Sequence, residues 1–341
     1  MTAPRFGVWA PVYGNHGARL HLADPPDASY RRTRDLIVAA ERAGFDATLV
    51  AQHVIHPSSV DDDVLETWST LAGLAEATRT IELIGAIKPL LFNPLVFAKL
   101  AGNIADIAAG RLSINVVSGW FLPELEALGL GAPDHDDRYT HTREWLQTVS
   151  ALWAGKRVEI GANTGQPALV RPVPDQPPPI YVGGESEPGR ALAADHADVF
   201  FLNGRPLDQT AEIVGDLRAR RKANGHSTPL RFGLSAFVIA RATEDQALAE
   251  LAYLQSLVDA ERRPEISGGT DPKTQMYKVL ADTRRVGSNG GTLAGLVGSY
   301  AQVAERIAAF HAAGIELFML QFQPLEAELD RFAEHVIPIF R

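Results

Sequence analysis

Three short apolar runs of this chain end in residues that can do chemistry. Leu112–Val117 carries Asn115 inside it, and Ser118 and Trp120 follow at once. An amide buried in such a run without partners costs roughly 1–3 kcal/mol, so Asn115 must meet something. It donates and accepts side by side, which suits the N–C=O edge of a flavin. An asparagine that only pins a turn reads equally well. A second run ends Val50-Ala51-Gln52-His53, where an uncharged imidazole or a glutamine amide could bind a ring oxygen or a substrate. His56 stands three residues on, so a histidine-bearing surface loop is the other reading. A third ends Ala86-Ile87-Lys88-Pro89. Lys88 precedes proline and is therefore extended. Its ammonium could stabilise negative charge on a reduced flavin or an anionic substrate, or it could snorkel at a rim. Tyr181-Val182-Gly183-Gly184-Glu185-Ser186 reads as strand, turn and helix start. Its glycines let backbone N–H groups approach an anion, and the helix N-terminus favours phosphate.

The elements that must position these groups alternate. Phe6–Val12, Ala47–Ala51, Ile81–Ile87, Leu112–Val117, Ile180–Val182, Val199–Leu202, Phe232–Ala240 and Leu317–Gln321 read as strands. Tyr30–Ala43, Glu66–Ala77, Pro94–Ala108, Arg138–Trp153, Pro188–His196, Leu207–Asn224, Thr243–Asp259 and Ser299–Ala313 read as helices. Asn93 before Pro94, and Thr243 before two acids, are N-cap signals. Eight alternations predict an α/β fold of the (β/α)8 TIM-barrel type, whose strand ends would deliver all these polar groups to one rim. A doubly wound sheet would need a Gly-rich turn after its first strand; Pro11–Gly17 does not fit one. The five prolines of Arg171–Pro179 make a stiff connector into the strand at Ile180. Residues 261–291 mix Pro, Gly, Ser and charge and read as an insertion or lid loop within a single domain spanning 1–341.

Bulk properties narrow the function. At 341 residues, 46% hydrophobic and 21% charged, the chain can bury a large core. Its net charge of −9 speaks against nucleic acid and against anionic membrane surfaces. The absence of cysteine excludes disulfides, thiolate metal sites and a cysteine nucleophile, and no metal site is expected. No secretory signal and no run of the ~18 apolar residues a span needs are visible, so a cytoplasmic protein is expected.

Asn115–Gly119 with Trp120 and Glu124, followed by His135-Asp136-Asp137-Arg138-Tyr139, resembles the bacterial-luciferase-like flavin monooxygenases. Within them the likeness is to the branch of dimethyl sulfone, alkanesulfonate and pyrimidine monooxygenases. It runs from Phe6 to about Phe340 and is weakest at 261–291. The resemblance implies reduced FMN as cofactor, O2 as co-substrate and an NAD(P)H:flavin reductase as supplier. A homo-oligomer, dimer or tetramer, is expected with it. Residue by residue, it implies flavin contacts at Gln52, His53, Asn115, Glu124, Arg138, Tyr139, Gly184 and Ser186. Arg138 would offer its fork to the phosphate; without the resemblance it is an ordinary surface helix residue. Asn115, Trp120, His53 and Lys88 would act at the reacting centre, with Trp120 and Phe121 as an apolar wall. Related chains often carry Gly-Gly-Ser-Ser where this one has Glu185 for the first serine, so Glu185 is expected to point away from a phosphate.

Substrate signals are mixed. Alkanesulfonate monooxygenases carry an Arg and a His where Ser235 and Phe237 stand here, and an uncharged strand cannot clamp a sulfonate. Ser235–Arg241 and Asn203-Gly204 resemble the sulfone branch, whereas Gly291-Thr292 and Leu296–Tyr300 resemble the pyrimidine branch. The expectation is oxygenation of a small organosulfur compound of the sulfone type with C–S cleavage. Ring opening of a cyclic amide is the alternative, with alkanesulfonate oxidation behind it. A non-catalytic flavin binder and a deazaflavin-dependent dehydrogenase belong to other classes, which anaerobic titration with FMN, reduced FMN and the deazaflavin would separate.

Overall fold

The computed structural model describes residues 2–119, 121–131, 133–161, 166–261 and 286–341. Its strands are β1 (Arg5–Trp9), β2 (Ala47–Val50), β3 (Glu82–Ile87), β4 (Leu112–Val116), β5 (Ile180–Val182), β6 (Val199–Leu202), β7 (Arg231–Phe237), β8 (Ile239–Arg241), β9 (Val297–Ser299) and β10 (Leu317–Gln321). Eight of them close a barrel in the order β1-β10-β7-β6-β5-β4-β3-β2, and β8 and β9 form a separate pair. Every barrel pairing is parallel. The expected (β/α)8 architecture is therefore the one observed.

Strand alternation sorts the side chains into two layers. Trp9, Leu49, Ile84, Tyr181, Phe201 and Met319 pack inside the barrel. Phe6, Val8, Leu83, Ile114, Phe200 and Phe318 face the helices and join the larger outer core. Helix Pro94–Ile107 shows how a helix is held there. Asn93 Oδ1 accepts from Leu95 N at 3.0 Å, as its sequence signal predicts. Phe97 on its buried face meets the rings of Trp68 at 4.9 Å and Trp145 at 4.8 Å. Truncating Phe97 to alanine would cost about 3–5 kcal/mol through lost contacts and a residual cavity.

The N-terminal end of the barrel is closed by a polar floor. Glu82, half-buried, takes hydrogen bonds from Arg5 at 2.7 Å, Ser113 at 2.6 Å and Tyr181 at 2.9 Å, so its charge is partnered. The C-terminal ends are left to the loops.

Three expectations shift. The run Phe232–Ala240 is not one strand. Val238 N donates to Gln321 O and Ile239 N to Leu296 O, so the chain leaves the barrel ladder there and pairs with β9. The helix over Arg138–Trp153 includes the acidic turn His135-Asp136-Asp137, itself readable as a helix start, and begins at His135, where Asp134 accepts from Asp136 N at 3.0 Å. An additional helix, Leu325–His335, has no counterpart among the expected elements; its Phe332 packs edge-on against Phe6 of β1 at 5.3 Å. Of the segment expected as an insertion, only 261 and 286–291 lie within the described residues. No helix among the described residues is long and apolar enough to cross a membrane.

Candidate active site

The loops at the C-terminal strand ends enclose a cavity of about 620 Å³. Gln52, His53, Lys88, Asn115, Tyr139, Gly184 and Ser186 all line it, although they come from four different strand ends and, for Tyr139, from helix His135–Trp153. Trp120 lies outside the described residues. Glu124 and Arg138 are buried but are not among the cavity-lining residues.

Glu124 sits on the short helix Leu122–Ala127 and is 0% exposed. Its Oε2 pairs with Lys88 Nζ. Its Oε1 accepts from Val54 N at 2.6 Å and lies 3.3 Å from His53 Nδ1. Lys88 Nζ in turn lies 3.1 Å from His53 Nδ1. In a neutral ring Nδ1 either donates to Glu124 or accepts from Lys88, so the two contacts alternate. Gln52 Oε1 accepts from Lys88 N at 2.6 Å and fixes the backbone from which the ammonium projects. Phe121 packs edge-on against His53 at 5.8 Å.

Burial dominates the electrostatics. It pushes the His53 imidazole down to about 4, and the Lys88 ammonium pushes the same way against Glu124. Burial would raise Glu124, but the His53 hydrogen bond and the Lys88 charge hold it at about 2. Burial draws Lys88 below its ordinary range, with Glu124 opposing. His16, on the loop after β1, is pushed down to about 4 by burial despite hydrogen bonds to the Trp9 and Ala10 backbone. The cavity wall therefore holds neutral imidazoles at neutral pH and a lysine whose charge is matched by a carboxylate.

The opposite wall is a cradle of backbone. A Cβ on Gly184 would collide with Tyr139 Oη, and one on Gly189 would collide with Gly184 O, so only glycine lets the loop and helix Glu187–His196 close up here. Ser186 is the N-cap of that helix, yet its side chain makes no cap hydrogen bond. Its Oγ is buried without a partner, and so is Asn115 Oδ1. Glu185 lines the cavity too, but its carboxylate is taken up by the protein: Oε1 accepts from Asn203 N at 2.7 Å and Oε2 pairs with Arg205.

Arg138 Nη1 donates to Pro133 O at 2.7 Å, holding the loop before its own helix. One residue further round the helix, Tyr139 reaches the cavity. Ser235 is fully buried and accepts from Trp9 Nε1 at 3.1 Å, and Phe237 is fully buried in a core cluster of its own. Sequence reading missed Trp9, Tyr13, His16, Phe201 and Asn203 as cavity residues. Trp9, Phe201 and Asn203 stand at or just past strand ends, which was the available signal; Tyr13 and His16 sit on a loop whose course no local pattern fixes.

A model of the luciferase-like monooxygenases matches residues 5–317. The chain belongs to that family. As a luciferase-like monooxygenase it is 31% identical to an FMNH2-dependent dimethylsulfone monooxygenase of Pseudomonas putida, an alignment covering 100% of this chain and 96% of the relative. It is 28% identical to the pyrimidine monooxygenase RutA of Cronobacter turicensis, over 99% and 92% of the two chains. Among solved structures, riboflavin lyase superposes with a TM-score of 0.84 at 20% identity, covering 99% of this chain and 91% of that one. That likeness shows the shared barrel fold.

Proposed function

We propose that this luciferase-like monooxygenase takes reduced FMN from an NAD(P)H:flavin reductase and uses O2 to cleave a C–S bond of a small sulfone. The observation that carries the flavin part is the pair of buried, unpartnered polar atoms, Ser186 Oγ and Asn115 Oδ1, on the cavity wall. Such atoms cost roughly 1–3 kcal/mol each unless a ligand satisfies them. Ser186, the Gly183–Gly184 backbone and the N-terminus of helix Glu187–His196 suit a phosphate. Asn115, on the strand next to the one that ends in Lys88, suits the ring edge. When bound, reduced FMN supplies the electrons that activate O2. Trp9, Ala86 and Phe201 supply an apolar wall that excludes water, and His53 holds or releases a proton at Nδ1. Glu124 acts behind that wall, through Lys88 and His53, rather than by contact with a ligand.

The sulfone reading rests on the dimethylsulfone monooxygenase relative and on the uncharged C-terminal part of β7, where Ser235 and Phe237 leave no clamp for a sulfonate. The balanced reaction converts dimethyl sulfone, reduced FMN and O2 to methanesulfinate, formaldehyde, oxidised FMN and water. The test supplies reduced FMN from a reductase and measures formaldehyde from dimethyl sulfone, sulfite from C1–C8 alkanesulfonates, and uracil consumption. Formaldehyde release supports the proposal; turnover of uracil alone would replace it with ring opening of a cyclic amide. Reduced FMN is expected to bind more tightly than oxidised FMN in anaerobic titration. The same proposal includes a homo-oligomer working in the cytoplasm, which light scattering on the purified chain and fractionation of cells would check.

A further inference from the structure

Each cation on the described cavity wall faces a carboxylate. Arg19 pairs with Asp62 at 2.7 Å across the mouth, and Lys88 pairs with Glu124 below it. The remaining carboxylates are also engaged: Glu185 holds Arg205, and Glu261 accepts from Leu20 N at 3.1 Å. Lys88 is the cation placed deepest, 2% exposed, at the end of β3 beside Asn115's strand. An unpaired ammonium there would be an anion clamp in a low-dielectric pocket. The second partner in the pair decides whether it is one. Glu124 is fully enclosed, is held in place by Val54 N, and touches the cavity only through Lys88 and His53.

We propose that Glu124 is the specificity-determining residue for substrate charge: by neutralising Lys88 from behind, it makes the cavity accept an uncharged sulfonyl compound and refuse the matching sulfonate. The proposal deepens the sulfone reading and rests on it for the choice of ligands. Glu124 is a positioning residue here, since it acts through Lys88. Dimethyl sulfone and methanesulfonate are near-isosteric, differing by a methyl group against an anionic oxygen. Shape cannot separate them, and the charge on the wall must.

The groups facing Lys88 are few and fix the pH dependence. Glu124 comes from the helix after β4 and His53 from the loop after β2, with His56 and Tyr13 behind the imidazole. Removing the Glu124 charge leaves Lys88 buried without a counter-ion, which favours a neutral amine, with only the neutral His53 Nδ1 left to accept from it. An anion then binds together with a proton, so its affinity must rise as pH falls.

The experiment uses the full chain loaded with oxidised FMN and reads ligand binding through the flavin spectrum, with dimethyl sulfone and methanesulfonate as probes. Wild type is expected to prefer the sulfone. Glu124→Gln should bind methanesulfonate about ten- to a hundred-fold more tightly than wild type, the range of one charge-assisted hydrogen bond, and more tightly still at lower pH. Glu124→Asp should restore the wild-type preference. The double variant Lys88→Met/Glu124→Leu replaces a buried pair with apolar groups of similar size, an exchange that folds well in general, and should keep the wild-type preference. A Glu124→Gln protein whose sulfonate affinity is unchanged, or rises without pH dependence, overturns the proposal. If Glu124→Gln does not fold, a gain of sulfonate affinity in the double variant overturns it instead. A wild type that binds no sulfone, beside a Glu124→Gln that still gains sulfonate, overturns the substrate reading and supports the charge assignment.

Discussion

Ser186→Ala should make the flavin-free protein slightly more stable and the flavin-bound protein markedly weaker. An alanine at an N-cap ordinarily costs about 0.5–2 kcal/mol, because the cap oxygen no longer accepts from the first turn. Ser186 makes no such bond, so that loss has no source here. What disappears is a buried hydroxyl oxygen with no partner. An unsatisfied buried group costs roughly 1–3 kcal/mol, and some of that returns on removal, so a gain of about 1 kcal/mol is expected. On the ligand side, a hydrogen bond to a phosphate is worth about 1.5–3 kcal/mol, or about ten- to a hundred-fold in affinity. Riboflavin lacks the phosphate and should lose less than about two-fold by the same reasoning. Urea midpoints of the flavin-free variant and wild type measure the first effect. Fluorescence titration with FMN and with riboflavin measures the second. A drop in the urea midpoint would mean that Oγ caps the helix after all. Equal losses for the two flavins would remove the phosphate from this loop.

Gly184→Ala would drive a Cβ into Tyr139 Oη, so FMN affinity should fall by at least about ten-fold, with overpacking costing roughly 1–3 kcal/mol in thermal or urea unfolding. Asn115→Ala should weaken FMN and riboflavin equally, since the ring edge is common to both, and the same titration checks it. Arg138→Ala frees Pro133 O and should cost roughly 1–3 kcal/mol of stability while weakening both flavins alike; an FMN-selective loss would place the guanidinium at the phosphate. For pH, the folded values of His53 and His16 lie near 4, below their unfolded values. Between about 6.5 and 4 the unfolded chain therefore binds more protons, and stability falls with falling pH by about 1.4 kcal/mol per unit for each histidine. His53→Gln should remove one such contribution from the slope of urea stability against pH.

Local signals carried most of the framework. Six of the seven cavity residues that sequence reading placed there were legible because strand ends in a barrel converge, so each needed only its own strand to be recognised; Tyr139, on helix His135–Trp153, was placed by the family resemblance alone. Partnership was harder. Lys88 and Glu124 lie 36 positions apart and meet only because β3 and the helix after β4 turn toward the same rim. Nothing local distinguishes a lysine facing a ligand from one facing a carboxylate. Arg138 and Tyr139 are adjacent in sequence and were read as one unit. A helix separates neighbours by about 100°, and that rotation sends one ring to the cavity and one guanidinium under the Pro133 loop. The break at Val238 was invisible for a related reason: the apolar run continues, and only the distant Leu296 and Gln321 carbonyls divide it.

The floor at Glu82 has a kinetic consequence. With Glu82 and its partners at the far end and the packed layer of Trp9, Leu49, Ile84, Tyr181, Phe201 and Met319 above them, whatever enters the cavity does so by the mouth through which it must also leave. A one-ended vessel imposes a queue. On the proposed seating of flavin across the strand ends, flavin has to arrive before the smaller molecule that would rest against it. An excess of that smaller molecule, arriving early, stands in the doorway. Turnover should therefore decline at high substrate when flavin is scarce and recover when flavin is raised.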